Sequence, residues 1–340
     1  MARHEQFSVN ALTVGTINGF PYTAGVGIGK AIYLAPVDSA TSKYHGWLTA
    51  NGVNAADIYT TLAGAYAACT DNRGDTIFAF PGTYTQTAKV TWAKNNTHLI
   101  GVGSLNQRIP ATAGTYGNVY FPCVTAMTEL FLITGHHCTF ANFSTYLSTA
   151  TGIADIRVQG RVNTLKNIFM ESGQDATQIA SAVLGYGLYC DGSSGNYCNA
   201  LTVEGCHIGD PRNTTRTAGG MILMAGDGTN SGGHCIEFKD CVIAGWTETA
   251  GVSAVYQSGA KPIDRYTLWQ DCTFYNFYTN LGGILTAGVF NDTVGGTHMN
   301  LLTGRTCQYG WNVWGNNDNY MFGQMPIPAV NGGKMLTMTG

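Results

Sequence analysis

The sequence predicts an all-β solenoid, a parallel β-helix, and three observations carry that prediction. First, a short phrase recurs six times: an apolar residue, any residue, then Asn, Gly or Asp, then an apolar residue or Cys. It reads Leu99-Ile100-Gly101-Val102, Phe140-Ala141-Asn142-Phe143, Leu165-Lys166-Asn167-Ile168, Val203-Glu204-Gly205-Cys206, Phe238-Lys239-Asp240-Cys241 and Trp269-Gln270-Asp271-Cys272. The third positions lie 41, 25, 38, 35 and 31 residues apart, inside the roughly 20–50-residue periods of repeat architectures. Leu302-Thr303-Gly304 is a frayed seventh copy. Second, Gly101, Asn142, Asn167, Gly205, Asp240 and Asp271 are residue types that tolerate left-handed backbone, so each marks a corner. Third, the flanks alternate, as in Ile236-Glu237-Phe238 and Cys241-Val242-Ile243, which places a short strand on either side of the corner.

Residues 1–54 lack the phrase, are rich in Gly, Thr and Ala, and read as an arm or attachment segment. Their run Thr23-Ala24-Gly25-Val26-Gly27-Ile28-Gly29-Lys30 has no Lys-Ser/Thr ending, so it is no phosphate loop. The stretch 55–72 reads as a capping helix. Asn54 is its cap, Asp57 sits in the first turn, and Ile58, Leu62, Ala65 and Cys69 share a face. A solenoid end exposes unpaired backbone, and this helix is placed to cover it. Coils occupy 73–310, opening with the strand Thr76–Phe80 and the turn Pro81-Gly82. Arg73-Gly74-Asp75 spells an adhesion tripeptide, read here as a solvated turn into that strand. Long polar excursions between corners are the natural carriers of recognition. The tail 311–340 is aromatic and Met-rich, a cap or a subunit interface.

Charged residues make up 11% of the chain and the net charge is −3, against roughly 25% charged in an ordinary domain. No basic cluster supports nucleic-acid binding, and no segment approaches the roughly 20 apolar residues of a membrane span. The N-terminus lacks an apolar signal core, which points to synthesis in a host cytoplasm. Cys206, Cys241 and Cys272 fall in the same slot after the corner. Stacked coils, about 4.8 Å apart, give them parallel side chains, a ladder of buried thiols rather than disulfides. Cys190 and Cys198 are the one local pair close enough to bond, and free thiols are the reading adopted.

Gly74-Asp75-Thr76-Ile77 through Pro81-Gly82-Thr83-Tyr84, followed by Thr97-His98-Leu99-Ile100-Gly101-Val102-Gly103, resembles the first coils of pectate-lyase-like right-handed β-helices. Similar openings occur in bacteriophage tailspikes and in tailspike-like trimeric capsid cement proteins. The resemblance implies a right-handed solenoid, and it leaves activity open because this scaffold hosts lyases, hydrolases, adhesins and structural proteins.

A hydrolase on this scaffold needs carboxylates converging on one face. The Asn-Thr-Asp, Asp-Asp and Gly-His-Gly phrases of polygalacturonase-like enzymes are absent, and no calcium-binding acid cluster is evident. The weak catalytic candidates are Glu237, Asp240 and Asp271, with Glu204 nearby; Asp240 and Asp271 occupy slots that follow backbone tolerance rather than charge. His136-His137 would serve one metal only at a turn, and no zinc or cofactor motif appears. Two readings follow. One is a non-enzymatic virion protein, a homotrimer decorating a phage capsid and attached through its N-terminal arm to the major capsid protein or another virion component. The other is a tailspike that binds and cleaves host surface glycan, with Trp246, Tyr256, Tyr266, Tyr275 and Tyr278 as sugar platforms. The first is the expectation, with no cofactor and a virion location.

Overall fold

The computed structural model describes residues 16–17, 20–21, 29–39, 43–103, 119–123, 125–171, 175–193, 195, 197–209, 216–227, 233–247, 249, 252–259, 261–263, 265–276, 288–291, 300–309 and 312–314. Apart from a short antiparallel pairing of Thr16–Ile17 with Phe20–Pro21, the paired strands are parallel. One sheet stacks Val90–Trp92, Glu129–Ile133, Ala154–Val158, Tyr186–Asp191, Gly220–Ala225, Ser253–Ser258, Gly288–Phe290 and Asn312–Trp314 in chain order. The second, larger sheet stacks Ala31–Leu34, Thr76–Ala79, His98–Gly101, Thr139–Tyr146, Thr164–Met170, Thr202–Glu204, Ile236–Lys239, Thr267–Gln270 and Asn300–Thr303. Successive coils return to both sheets in this order, and the chain is a parallel β-helix.

The core lies between the sheets. The first residue of the repeated phrase forms an inward column that runs Ile32, Ile77, Leu99, Phe140, Leu165, Val203, Phe238, Trp269, Leu302. All nine are buried. Phe238 and Trp269 lie face to face, centroids 3.9 Å apart, because equivalent side chains of adjacent coils leave the sheet in parallel.

The third position of the phrase is left-handed at Asn142, Asn167, Gly205, Asp240, Asp271 and Gly304, with φ between 49° and 66°. Gly101 differs. It continues the strand His98–Gly101 without a positive φ, and glycine is needed there because a Cβ would lie 1.8 Å from the Asn142 carbonyl oxygen. The sequence also concealed a second corner in each coil. Asn96, His137, Val162, Ala200 and Cys235 are left-handed at φ 49–57°, one on each of five successive coils, each two residues before the larger sheet's strand register. Val and Cys at such sites carry no sequence signal for a turn.

The expected single capping helix is three pieces. Asn54 caps a 3₁₀ turn at Ala55–Asp57 through the Ala56 amide. Ile58–Tyr59 is then a strand, captured by pairing with Tyr33 and Leu34, so tertiary pairing overrides the helical pattern. Only Leu62–Ala68 is helical, capped by Thr61. Its Leu62 and Ala65 enter the core. Tyr66 packs on Trp92, and its hydroxyl accepts from the amides of Ala93 and Lys94 at 2.7 and 2.8 Å. Lys94 in turn donates to the carbonyls of Tyr66, Ala67 and Cys69 at the helix end, where a cation complements the helix dipole.

The solenoid begins earlier than the sequence reading placed it. Ala31–Leu34 is a full member of the larger sheet, and Tyr44–Ala50 is a helix, both inside the stretch 1–54 read as an arm. The helix packs Leu48 against Phe78, Phe80, Ile100 and Val102 on the outer face. The outward column there starts apolar, Tyr33, Phe78, Ile100, Ala141. It turns polar at Lys166, Glu204, Lys239, Gln270 and Thr303. The tail from 315 on and the greater part of 1–28 lie outside the described residues, as do Tyr278 and most of the excursions at 103–117 and 211–219.

Candidate functional site

The acids singled out in the sequence stand on the outer, polar half of the larger sheet. Glu237 is half-buried and ion-paired with Lys239, two residues along the same strand, at 2.5 Å. Glu204 meets Lys166 of the preceding coil at 2.7 Å. Asp240 and Asp271 occupy equivalent corners of adjacent coils, flanked by the pairs Lys239–Gln270 and Val242–Thr273. Asp271 accepts from the Arg305 amide at 2.7 Å and has the Arg305 guanidinium 3.8 Å away. Its Oδ1 fills the space a Cβ at Gly304 would occupy, 2.4 Å from that point, as the Asn167 amide does over Gly205 at 2.3 Å. Glycine follows Asn167 and Asp271 in the column because those corner side chains fold over the next coil's backbone.

Cys206, Cys241 and Cys272 share one inward slot in consecutive coils and are free thiols, as are Cys190 and Cys198. Each ladder thiol lies over two carbonyls beside the left-handed corner, adding to the amide bonds that Lys239 O and Gln270 O accept from the neighbouring coil. Cys241 Sγ donates to Val203 O and Lys239 O, and Cys272 Sγ lies equally over Phe238 O and Gln270 O. Thr306 Oγ1 repeats the pattern one coil later, toward Trp269 O and Thr303 O. Burial pushes the Cys241 thiol well up. The hydrogen bond with Cys241, then burial, does the same to Cys272, so neither is a poised nucleophile.

His136 and His137 do sit at a turn, His137 at φ 57°. His136 Nδ1 accepts from the Arg161 amide at 2.9 Å, and burial first, then the charges of Arg161 and His137, lower its pKa. Among the described residues no group of three metal-capable side chains converges. The Arg73-Gly74-Asp75 turn is not solvated at its acid. Asp75 is wholly buried and accepts from Arg73 Nε and Nη2, the Thr70 amide and the Lys30 amide at 2.6–2.8 Å. It clamps the first coil to the segment before it, and its carboxylate is not available to a receptor.

The densest charged cluster among the described residues carries no motif in the sequence. Glu129, Arg157 and Asp191, from three successive strands of the smaller sheet, form a buried ion network. Arg157 Nη1 donates to Glu129 Oε1 at 2.6 Å, while its Nε and Nη2 donate to Asp191 Oδ2 at 2.9 and 2.7 Å. Lys89 and Thr128 occupy Glu129 Oε2. Gln159 adds to Asp191 Oδ2, and Ser193 and Tyr189 hold Asp191 Oδ1. Burial alone would raise both acids. The bonds from Thr128 and Arg157 outweigh it at Glu129, and those from Ser193 and Gln159 at Asp191, so both stay below the usual carboxylate range. Two ionised acids with their oxygens engaged offer neither a general acid, which needs a raised pKa, nor a free base. The sequence signal was faint: single charges at 129, 157 and 191 in otherwise apolar strands, meeting only through register.

Among the described residues sugar platforms are sparse as well. Tyr256 packs against Ala154, Tyr186 and Leu223, and Trp246 and Tyr275 are half-buried. Among the described residues the exposed aromatic rings are Trp47 and Tyr197, at 41% and 40%, and Tyr197 carries the Arg161 guanidinium over its ring.

No protein-family model and no curated protein sequence matches the chain. Three solved structures are similar in fold. A pectate lyase, Pel9A, is 14% identical over 92% of this chain and 80% of its own, with a TM-score of 0.49. A pectin methylesterase variant solved with a hexasaccharide is 12% identical over 90% of this chain and 91% of its own, TM-score 0.43. The ORF18 protein of Geobacillus virus E2 is 15% identical over 80% of this chain, TM-score 0.40, and this chain spans 59% of its length. The parallel β-helix assignment itself rests on the strand registers of this chain.

Proposed function

We propose that this chain is a non-enzymatic structural protein of a phage virion, a homotrimer that decorates the capsid. The observation that carries the reading is the state of the acids. Glu204, Glu237 and Asp271 are held by neighbouring cations, and Glu129 and Asp191 are saturated around Arg157. These acids are used as structure. The free, buried thiols fit folding in a reducing cytoplasm, where virions assemble. Attachment falls to the N-terminal residues, joining the major capsid protein or another virion component, while the solenoid projects.

The test has two arms. Purified protein is incubated with envelope polysaccharides of the host and assayed for new reducing or unsaturated ends, and antibody-labelled particles are imaged. The expected result is no cleavage and label spread evenly over the head. Cleavage products that vanish with Asp240→Asn or Glu237→Gln, with label confined to the tail tip, would establish a glycan-cleaving tailspike instead.

A further inference from the structure

One acid lies inside the solenoid. Asp155 is fully buried at the start of Ala154–Val158 in the smaller sheet, and its Oδ2 is 2.6 Å from Oγ1 of Thr145, which comes from the larger sheet. Thr145 Oγ1 also lies 3.4 Å from Phe169 O. Thr145 Oγ1 donates to Oδ2 of the carboxylate. With a proton on Oδ2 the bond reverses, the Thr145 hydrogen turns to the Phe169 carbonyl, and the chain ties the sheets together. Asp155 Oδ1 has no hydrogen-bond partner, while the backbone of Glu171 and Leu147 lies close enough to the carboxyl to favour its ionised form in part.

The ionisable groups that act on it are Glu171, at the end of Thr164–Met170, and Cys123, after Val119–Pro122. Both are buried, and neither is a cation. Arg157, two residues along, leaves the opposite face to reach Glu129 and Asp191. The loop 147–153 that joins Thr145 to Asp155 is also fastened by Gln178, whose Nε2 donates to Leu147 O and Gly152 O. Thr149 Oγ1 holds it to Met127 O, as do the bonds of the Ile153 amide to Thr128 O and of the Gly185 amide to Gly152 O, so a release at Asp155 is a local loosening and not a detachment.

We propose that Asp155 is a proton-dependent latch between the two sheets: with its proton it closes the loop 147–153 over the core, and without it that loop is released. Among the described residues a carboxylate here has no counter-ion, and it faces a second acid, so ionisation is coupled to local opening. Burial, and the nearby Glu171, hold the Asp155 proton well above the usual carboxylate range. The sign follows from linkage. Above the ordinary Asp pKa the unfolded chain has lost a proton that the folded chain keeps, so stability falls as pH rises, up to tenfold in the equilibrium per pH unit.

The experiment is infrared spectroscopy of the full chain through an alkaline titration, with hydrogen exchange of peptides covering 145–156 alongside. The expected result is a neutral carboxylic-acid band at pH 7 that fades on alkalinisation in step with faster exchange of this loop. Asp155→Asn should remove the band and abolish the pH dependence of exchange. Glu171→Gln, which removes the neighbouring charge, should move the loss of the band to lower pH, and it keeps the proposal testable if the Asn variant does not fold. No such band at pH 7, or a band lost while exchange of the loop stays constant, overturns the proposal.

Discussion

Val162 shows what a single residue concedes to a repeating fold. It stands at φ 55° and is 48% exposed, in a column whose other members include Asn96 and Ala200. A β-branched residue in left-handed backbone costs about 1–2 kcal/mol, and exposure leaves no packing to offset it. Val162→Asn should therefore stabilise the protein by about 1 kcal/mol, read as a shift in urea midpoint at constant slope. His98 makes a second demand. It is buried, with Nδ1 accepting from the Thr139 amide and Nε2 unpartnered, and burial lowers its pKa from 6.5 to about 4. The unfolded chain takes up a proton below pH 6.5 that the folded chain refuses, so stability is lost as pH falls from 6.5 towards 4. The loss amounts to about 3 kcal/mol at most. Unfolding followed between pH 7 and 4 should show that slope in the native chain and a flatter one in His98→Asn, whose Oδ1 can still accept from Thr139.

Elements explain which parts of the chain could be read in advance. The larger sheet was legible because its corner demands Gly, Asn or Asp and its inward column demands bulk, both visible at Leu165-Lys166-Asn167-Ile168. The smaller sheet has no such phrase. Its strands, such as Glu129-Leu130-Phe131-Leu132-Ile133, are apolar runs whose pairing depends on register across long connections. The Arg157 network was invisible for the same reason: its members are 28 and 34 residues apart in sequence. The network also predicts how these strands fail. Arg157→Met leaves two buried carboxylates with Lys89 as the one remaining cation paired to them among the described residues, and removing one partner from a buried ion group costs about 3–5 kcal/mol. That loss should appear in chemical denaturation, and lowering the pH towards the acids' own range should recover part of it by protonating Glu129 or Asp191. An equal loss at all pH values would mean the side chain acts by packing alone.

At the scale of the whole molecule, the decisive surface is the N-terminal end of the stack. Ala31–Leu34 pairs on one side with Ile58–Tyr59 and on the other with Thr76–Ala79, and Tyr44–Ala50 covers Phe78, Phe80 and Ile100. A chain starting at Asn54 loses all of this at once. It exposes a strand edge beside a contiguous apolar patch, the combination that drives edge-to-edge association. A chain starting at Gly29 keeps the strand, the helix and the Lys30 amide that holds Asp75. The expected outcome is that the shorter chain aggregates or sediments heterogeneously while the longer one unfolds at the midpoint of the full protein. The proposed attachment role then falls to residues 1–28, and the Gly29 chain, mixed with particles stripped of this protein, should stay folded yet fail to bind. Rebinding as tight as the full chain's would move attachment to the aromatic segment after Trp311. A well-behaved, fully stable chain from Asn54 would show that the strand and helix are ornaments on a solenoid that ends at Thr76, contrary to the pairing described.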